Sequence, residues 1–272
     1  MRNKIVMVTN DDSIRSKGLI ELAKAISKYA RVTIVAPEQP QSATALSLTF
    51  HKPLRVTELF VSGMRCYAVS GTPGDCVMIG VNKILPRAPD LIASGINFGD
   101  NVTYQDILAS GTVAAALAGA LARIPSIAFS MEVPEENVFS LEPSRIDFRN
   151  AALIAAEIVG DVLQNGMPDG AEALNVNFPA EIPTNNSLAI TRIARRKYRD
   201  RVIVRLDPRR RPYYWLFGER LRKFPRDTDA FAVHKMRIIS ISPIQLRMSG
   251  KITSSLEKLR ERVEKRIKER VG

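Results

Sequence analysis

Three short segments rich in oxygen-bearing side chains are candidates for chemistry. They follow predicted β-strands and read Asn10-Asp11-Asp12-Ser13, Gln41-Ser42-Ala43-Thr44 and Ser94-Gly95-Ile96-Asn97. Carboxylates, hydroxyls and side-chain amides form a hard, oxygen-only ligand set, which suits Mg²⁺ or Mn²⁺ and suits Zn²⁺ poorly. The two histidines, His51 and His234, are remote from these segments in the sequence, so a histidine-based metal site is not predicted.

Each segment also has an ordinary structural explanation. Asn and Asp after a strand are common turn residues and helix caps, which applies to Asn10, Asp11 and Asp12. Ser42 alone is typical of a loop hydroxyl, and Asn97 alone is typical of a left-handed turn. However, all three segments are predicted at the carboxyl edge of one parallel sheet, where open α/β sheets bind ligands. Their recurrence there favours a site over three independent turns.

A fourth segment, Ser110-Gly111-Thr112, opens an Ala-rich helix. The free backbone N–H groups and the positive dipole end of such a helix can receive a phosphate. The alternative is an ordinary serine N-cap. Neither G-x-G-x-x-G after the first strand nor G-x-x-x-x-G-K-[ST] occurs, so the sequence lacks the fingerprints of dinucleotide and P-loop binding.

The elements that must position these segments alternate between apolar runs and helical patterns, as in repeated βαβ units with a parallel sheet. Strands are predicted at 4–9, 32–37, 65–70, 90–94, 125–130 and 173–179. Helices are predicted at 18–29, from near residue 73, at 110–123 and at 146–164. We therefore expect an α/β catalytic core over residues 1–185, with a mostly parallel sheet flanked by helices.

After Pro179 the pattern changes to alternating polar and β-branched residues. The runs 201–206 and 212–218 bracket a Pro-Arg-Arg-Arg turn and predict a projecting β-hairpin. A strand at 237–243 and a C-terminal helix follow; the apolar positions of the helix are Leu256, Leu259, Val263, Ile267 and Val271. We assign residues 186–272 to this basic hairpin, strand and helix, and expect the apolar stripe of the helix to serve oligomerisation.

Composition narrows the choice of partners and compartment. The 272 residues carry a formal charge of +12, and residues 192–226 alone contain 14 Lys and Arg against 3 acidic residues, which favours an anionic partner. Cys66 and Cys76 form no CxxC pair, which argues against a disulfide framework or a thiolate zinc site. No apolar run reaches the roughly 20 residues of a membrane span and the N-terminus becomes charged too early for a signal peptide, so we expect a cytoplasmic protein.

A series of ordered motifs resembles one known family along nearly the whole chain. The motifs are VTNDD (8–12), AP followed by QSAT (36–44), SGTPGDC (70–76), PDLIASGINFGDN (89–101), SGTVAAALAG (110–119), IPSIAFS (124–130), NVNFP (175–179) and SISP (240–243). They resemble the SurE (survival protein E) family of metal-dependent nucleotidases. The resemblance implies a Rossmann-like core, an exchanged C-terminal region, homodimers or homotetramers, and hydrolysis of nucleoside monophosphates by a 5′-nucleotidase.

Carried onto matching positions, the resemblance also implies a site. One divalent ion per subunit, Mg²⁺ or Mn²⁺, is expected on Asp11, Asp12, Ser42 and Asn97. The residues expected on the phosphate side are Asn10, Asn101, Ser110, Gly111 and Thr112. A water activated by the ion is expected to attack phosphorus, with Asp11 or Asp12 accepting its proton.

Three positions depart from the family pattern. The family usually has Gly where this chain has Ser13, Gly again where it has Ala45, and a further Gly that is replaced within NVTYQD (101–106). These changes stiffen loops without deleting an oxygen ligand, so they affect loop geometry and substrate preference more than the reaction.

A nucleic-acid- or polyphosphate-binding role centred on residues 192–226 is the alternative. In this segment arginines interleave with aromatic residues, as stacking platforms do. The aromatic residues are Tyr198, Tyr213, Tyr214 and Trp215. The segment also fits a basic hairpin at a subunit interface, and a third hypothesis is that it guides anionic substrates toward the metal.

Overall fold

The computed structural model describes residues 3–133, 146–185, 187–247 and 249–271. In these ranges the chain forms 11 strands: β1 (Ile5–Thr9), β2 (Arg31–Pro37), β3 (Val56–Val61), β4 (Met64–Val69), β5 (Leu91–Phe98), β6 (Ser126–Met131), β7 (Ala173–Phe178), β8 (Leu188–Ile190), β9 (Tyr198–Leu206), β10 (Pro212–Arg220) and β11 (Ile239–Ile244). Nine of them form one sheet in the order β3-β4-β2-β1-β5-β6-β7-β11-β8, and β9 and β10 form a separate two-stranded sheet.

Helices cover both faces of the main sheet. They are α1 (Lys17–Ile26), α2 (Pro73–Ile79), α3 (Thr103–Ala109), α4 (Gly111–Leu121), α5 (Arg149–Asn165), α6 (Asp229–Phe231) and α7 (Ser254–Val271), with π-helical turns at Gly80–Ile84 and Ala232–Met236. Val6 and Val8 of β1 pack in the core cluster that contains α1 and α5. Ile5 and Met7 of the same strand pack in the cluster that contains residues of α2 and α4. A strand buried on both faces is therefore apolar throughout, which is why IVMVT could be recognised as a core strand.

Six neighbouring strands, from β4 to β7 in the sheet order, are parallel to one another. Their spatial order is β4-β2-β1-β5-β6-β7, so the chain order reverses at β1, between β2 and β5. This is the doubly wound, Rossmann-like arrangement, and it confirms the predicted fold class. The reversal opens a crevice beyond the carboxyl ends of β1 and β5.

The structure adds four helices and strands that the sequence patterns did not predict, namely β3, β8, α3 and the three-residue α6. β3 is an edge strand that pairs only with β4 in the described part of the chain, and most of its residues are exposed. β8 has three residues. α3 follows Val102, whose side chain makes no capping hydrogen bond. Short or edge elements carry little hydrophobic periodicity, so they escape pattern analysis.

The C-terminal part contributes to both sheets. β11 pairs antiparallel with β7 and parallel with β8, which extends the main sheet, whereas β9 and β10 form the predicted hairpin. The domain boundary after residue 185 stays a prediction; it adjoins residue 186, which lies outside the described residues. Within the described ranges, no helix has the length and apolar character needed to cross a membrane.

Candidate functional site

The loops that follow β1 and β5 meet at the carboxyl edge of the sheet. Thr9 of β1 lies opposite Ser94 of β5 in the parallel register. The residues just beyond them, Asp11, Asp12 and Asn97, therefore come together although β1 and β5 are far apart in sequence. This is the crevice at which open α/β sheets bind ligands.

Asp11 is held by the first turn of α4. The Thr112 hydroxyl donates a hydrogen bond to Asp11 Oδ1 at 2.5 Å. A Cβ atom on Gly111 would lie 2.8 Å from Asp11 Cβ, so only glycine permits this close approach. Burial raises the pKa of Asp11, whereas the Thr112 hydroxyl and the backbone N–H groups of Gly111 and Thr112 oppose the rise. The positive end of α4 thus faces a carboxylate.

Asp12 is fixed by the end of β5. Its Oδ2 accepts a hydrogen bond from the Phe98 N–H at 2.9 Å. Burial and the negative charge of Asp11 raise the pKa of Asp12 to about 7. Two carboxylates this close repel each other, and a cation between them would lower both pKa values.

An irregularity in β5 orients the Asn97 side chain toward the group that also binds Asp11. The register between β5 and β6 shifts between Ser94 and Asn97. Gly95 at this shift has φ +129°, and a Cβ there would lie 2.2 Å from the Phe129 carbonyl oxygen. Asn97 Nδ2 donates to the Gly99 carbonyl at 2.8 Å, and Asn97 Oδ1 lies 3.4 Å from the Thr112 hydroxyl oxygen. The amide oxygen therefore faces the group that also binds Asp11.

Ser42 and Asn10 lie at the border of this group. The Gln41 N–H donates to the Asp11 carbonyl at 2.7 Å, which places the turn that carries the exposed Ser42 beside Asp11. Asn10 is fully buried, and its Nδ2 donates to Ser16 Oγ at 2.7 Å. Asn10 thereby shapes the loop between β1 and α1.

Asn101 and Ser110 make contacts within the protein. Asn101 Nδ2 donates to Ser130 Oγ at 2.8 Å, and Asn175 Nδ2 donates to the Asn101 carbonyl at 2.8 Å. Ser110 Oγ accepts from the Val113 N–H at 3.1 Å and caps α4. These bonds order the loops around the site. A direct contact with a phosphate stays a prediction for both residues, as it does for Asn10 and for residues 111–112.

The chemistry of the donor set suits a hard divalent cation. Asp11 and Asp12 supply anionic oxygens, and Asn97 supplies a neutral oxygen that faces them across Thr112. Among the described residues there is no group of three or more His, Cys, Asp or Glu side chains arranged to hold a metal ion. The candidate centre therefore depends on two carboxylates with neutral oxygen donors, a set that Mg²⁺ and Mn²⁺ accept.

Comparison with known proteins identifies the family of this chain. A family model described as "Survival protein SurE" matches residues 6–200, which include both candidate loops. The chain belongs to the SurE family. A protein of Thermofilum pendens named 5′-nucleotidase SurE is 41% identical over 98% of this chain and 99% of its own length. A protein of Methanocella arvoryzae with the same name is 39% identical over 90% and 93%.

The fold is also that of a SurE protein of known structure. The crystal structure of the SurE protein from Aquifex aeolicus aligns with a TM-score of 0.79 and 34% sequence identity. The alignment covers 94% of this chain and 99% of the Aquifex chain. At this identity the likeness extends beyond the general α/β architecture to the family.

Three non-glycine residues near the site have positive φ values. Ser13 and Ala45, for which the resemblance implied a departure from glycine, adopt φ values of +87° and +50°. Thr103, within the segment 101–106 for which a third departure was expected, adopts +75°. Side chains other than glycine are strained in this region of backbone conformation.

A hollow of about 400 Å³ opens beside Asp12 in this SurE fold. Both apolar and basic side chains line it. The lining residues include Pro40, Ile96, Phe98, Phe148, Arg15 and Lys17. The candidate metal centre therefore adjoins a space of the size of a small organic group.

A second group of ionisable residues lies next to the SurE site, and sequence reasoning missed it. His234 Nε2 lies 3.1 Å from Asp100 Oδ2, and His234 Nδ1 lies 3.0 Å from Glu132 Oε1. The Lys197 ammonium contacts both Asp100 and Asp106. Burial lowers the pKa of His234, but the two carboxylates outweigh burial and raise it. The cluster links the loop after β5 to the base of the β9–β10 hairpin.

Proposed function

We propose that this protein is a divalent-metal-dependent 5′-nucleotidase that hydrolyses nucleoside monophosphates to nucleoside and phosphate. The observation that carries the proposal is the convergence of Asp11, Asp12 and Asn97 where the strand order reverses. The curated relatives named 5′-nucleotidase SurE support the reaction class.

Asp11, Asp12 and Asn97 would hold the ion, with Ser42 as the fourth protein ligand. Bound Mg²⁺ or Mn²⁺ supplies charge neutralisation at the phosphate and makes a water more acidic. The two carboxylates would balance the charge of the ion. The neutral donors would complete the set of protein ligands without adding negative charge that repels a phosphate. The fit of Ser42 rests on its position beside Gln41, since the Gln41 N–H binds the Asp11 backbone.

The chain's own residues orient the reacting groups. Thr112 fixes Asp11 Oδ1, and the Phe98 N–H fixes Asp12 Oδ2. Either carboxylate can accept the proton of the attacking water. The helix end at residues 110–112 adds positive potential beside the negative charge that develops on phosphate oxygens.

The nucleoside part of the substrate would occupy the hollow beside Asp12. Its apolar lining, with Phe98 and Phe148, suits a nucleobase and sugar. Phe98 also fixes Asp12 through its backbone, so substrate binding and positioning of the carboxylate share one residue.

Release of inorganic phosphate from a panel of nucleotides tests the proposal. The panel contains 5′- and 3′-monophosphates and polyphosphate, with the purified full chain in EDTA, and then with added Mg²⁺ or Mn²⁺. We expect release from nucleoside 5′-monophosphates that requires metal. Asp161→Asn is a matched control, because Asp161 is an exposed carboxylate of α5 that binds Asn165. Phosphate release that is equal in EDTA and in metal, or absent from every nucleotide, would contradict the proposal.

A further inference from the structure

The orientation of Asn97 depends on the backbone of the two residues that follow β5. Asn97 Nδ2 donates to the Gly99 carbonyl at 2.8 Å, and the Gly99 N–H donates to the Met131 carbonyl at 2.9 Å. Gly99 adopts φ +114° and has no side chain that anchors this stretch. Asp100, the next residue, has a side chain that is only 11% exposed. Contacts of Asp100 therefore restrict the position of the Asn97 amide group.

Two donors from the C-terminal part of the chain bind the Asp100 carboxylate. Burial raises the pKa of Asp100, but His234 and Lys197 outweigh burial and lower this pKa, so Asp100 is ionised and only accepts hydrogen bonds. Lys197 Nζ lies 3.2 Å from Asp100 Oδ1 and also contacts Asp106. A rotatable ammonium thus attracts two carboxylates, whereas the planar ring of His234 donates from Nε2 in one direction. His234 Nε2 lies 3.1 Å from Asp100 Oδ2, so it is the contact that fixes the direction of the carboxylate.

The other ring nitrogen of His234 faces an anchored carboxylate and a guanidinium. His234 Nδ1 lies 3.0 Å from Glu132 Oε1 and 2.7 Å from Arg220 Nη2. Glu132 directly follows β6, and its N–H donates to the Phe178 carbonyl at 2.8 Å. In the protonated ring, Nδ1 donates to Glu132; in the neutral ring, Nδ1 accepts from Arg220 and the proton stays on Nε2, which faces Asp100. Nε2 therefore donates to Asp100 in both states, so this contact does not depend on the charge of the ring.

We propose that His234 is a positioning residue for the candidate metal centre: its Nε2–H holds the Asp100 carboxylate and thereby orients the amide oxygen of Asn97 toward the ion. The catalytic part of this inference rests on the proposed nucleotidase function, whereas the part that concerns the loop does not. The side chain of His234 is only 5% exposed, so it acts through Asp100 and not by contact with substrate. A merely structural role in the ionic cluster would be served by either ring nitrogen, but the positioning role requires Nε2.

Substitutions of His234 separate its two nitrogens. His234→Gln places an amide nitrogen near the position of Nε2, where it donates to Asp100, whereas His234→Asn places one near the position of Nδ1, where it reaches only Glu132. His234→Ala removes both donors. His234→Asn is therefore the matched control for His234→Gln, because both variants keep an uncharged amide at the same position in the chain.

Hydrogen exchange of the full chain in EDTA measures the effect on the loop without metal. The amides to follow are those on either side of Asp100, since the Gly99 N–H donates to the Met131 carbonyl and the Asn101 N–H donates to Asn177 Oδ1. We expect both amides to exchange about tenfold faster in the Ala and Asn variants, as loss of one hydrogen bond to a charged group implies. The Gln variant should exchange at the wild-type rate.

Binding of Mn²⁺ alone, measured by isothermal titration calorimetry, shows the consequence at the metal centre. His234→Asn should weaken Mn²⁺ binding about tenfold, as loss of a group that orients a metal ligand does, and His234→Gln should retain the wild-type affinity. Equal loop exchange and equal Mn²⁺ affinity in the Asn and Gln variants would overturn the proposal, because the cluster would then be merely structural. If His234→Ala does not fold, the comparison of Gln with Asn decides alone.

Kinetics with a nucleoside 5′-monophosphate separate this inference from the proposed function. In His234→Asn, the Mn²⁺ concentration for half-maximal phosphate release should rise about tenfold, while KM for the nucleotide is unchanged because Asn97 does not bind the nucleoside. Phosphate release by wild type, without a difference between the Asn and Gln variants, would overturn the positioning role and leave the nucleotidase proposal standing. No phosphate release by wild type, with the expected differences in loop exchange and Mn²⁺ binding, would overturn the nucleotidase proposal and support the role of His234 in orienting the loop.

Discussion

Replacing Asp12 by Asn tests whether the paired carboxylates form a metal site or only a turn. Burial and the charge of Asp11 raise the pKa of Asp12 from its ordinary 3.8 to about 7. At 1.36 kcal/mol per pKa unit, keeping Asp12 ionised in the metal-free fold costs on the order of 4 kcal/mol. Because the folded state binds this proton more tightly than the unfolded state, metal-free wild type should lose stability as the pH rises from about 4 to about 7. Asp12→Asn removes the titrating group and should lack this loss.

The substitution should therefore have opposite effects with and without metal. In EDTA at pH 8, the variant should unfold at a temperature no lower than wild type. Mg²⁺ or Mn²⁺ should stabilise wild type and not the variant, because the ion binds the folded state through Asp12. Turnover at saturating metal should fall by about a hundredfold or more, since the ion contributes several kcal/mol at the transition state. Thermal unfolding at pH 5 and pH 8 and phosphate release measure these effects.

Asp90→Asn is the control for loss of a buried or paired carboxylate in general. Burial raises the pKa of Asp90, but hydrogen bonds from the Ile5 N–H, Arg87 and Lys4 outweigh burial and lower this pKa to about 2. Its stabilising charge is present above about pH 4 and is lost as the pH falls through about 2, so this variant should be less stable at both pH 5 and pH 8 with normal turnover. An Asp12→Asn variant that behaves in the same way would contradict the assignment of Asp12 to a metal site.

Three further predictions address the support of the site and the assembly. Thr112→Val should lower turnover about tenfold and weaken metal activation, whereas Thr112→Ser should retain both, because serine keeps the hydroxyl that binds Asp11 and valine lacks it. Steady-state kinetics with a metal titration measures both effects. Ser13→Gly should raise the free energy of unfolding by up to about 1 kcal/mol, because glycine removes the strain of a backbone at φ +87°. Urea denaturation in EDTA measures this gain, and no gain would show that the loop is not strained. Light scattering at micromolar protein should show that the wild type is at least a dimer and that Leu259→Glu dissociates it. Leu259 lies on the apolar stripe of α7 and is 49% exposed in the single chain, so we expect a second subunit to cover it. A monomeric wild type would contradict this prediction.

The location of the site was predictable because parallel strands end at a common edge. Apolar runs identified β1 and β5, and the polar residues that follow each run marked the edge at which open α/β sheets bind ligands. Nothing local in the sequence states that β1 and β5 are neighbours. The pairing of Thr9 with Ser94 supplies that fact, and it brings Asp11 and Asn97 to one place.

The partners of the helix end were less predictable. The residues Ser110-Gly111-Thr112 fitted either a phosphate site or a serine N-cap, and the resemblance implied the phosphate. In the structure Ser110 caps the helix and the Thr112 hydroxyl binds Asp11. A helix N-terminus attracts any anion, so propensity and capping rules do not choose between a substrate and a protein carboxylate. The choice depends on how closely two loops approach, which Gly111 sets through the absence of a Cβ atom.

In the basic segment, residues 192–226, the count of charges in the sequence likewise does not show which cations are available to bind a partner. Counting cations over residues 192–226 treats Lys197 as part of the anion-binding surface, but its side chain is only 6% exposed and contacts Asp100 and Asp106. Its charge is neutralised inside the protein, and its contacts hold the loop that carries Asn97 against the base of the hairpin. A Lys197 variant would therefore disturb catalysis through the loop even if the hairpin bound no substrate. Substitutions farther along the hairpin, such as Arg209→Ala in its turn, separate a role in binding anions from a role in shaping the metal site.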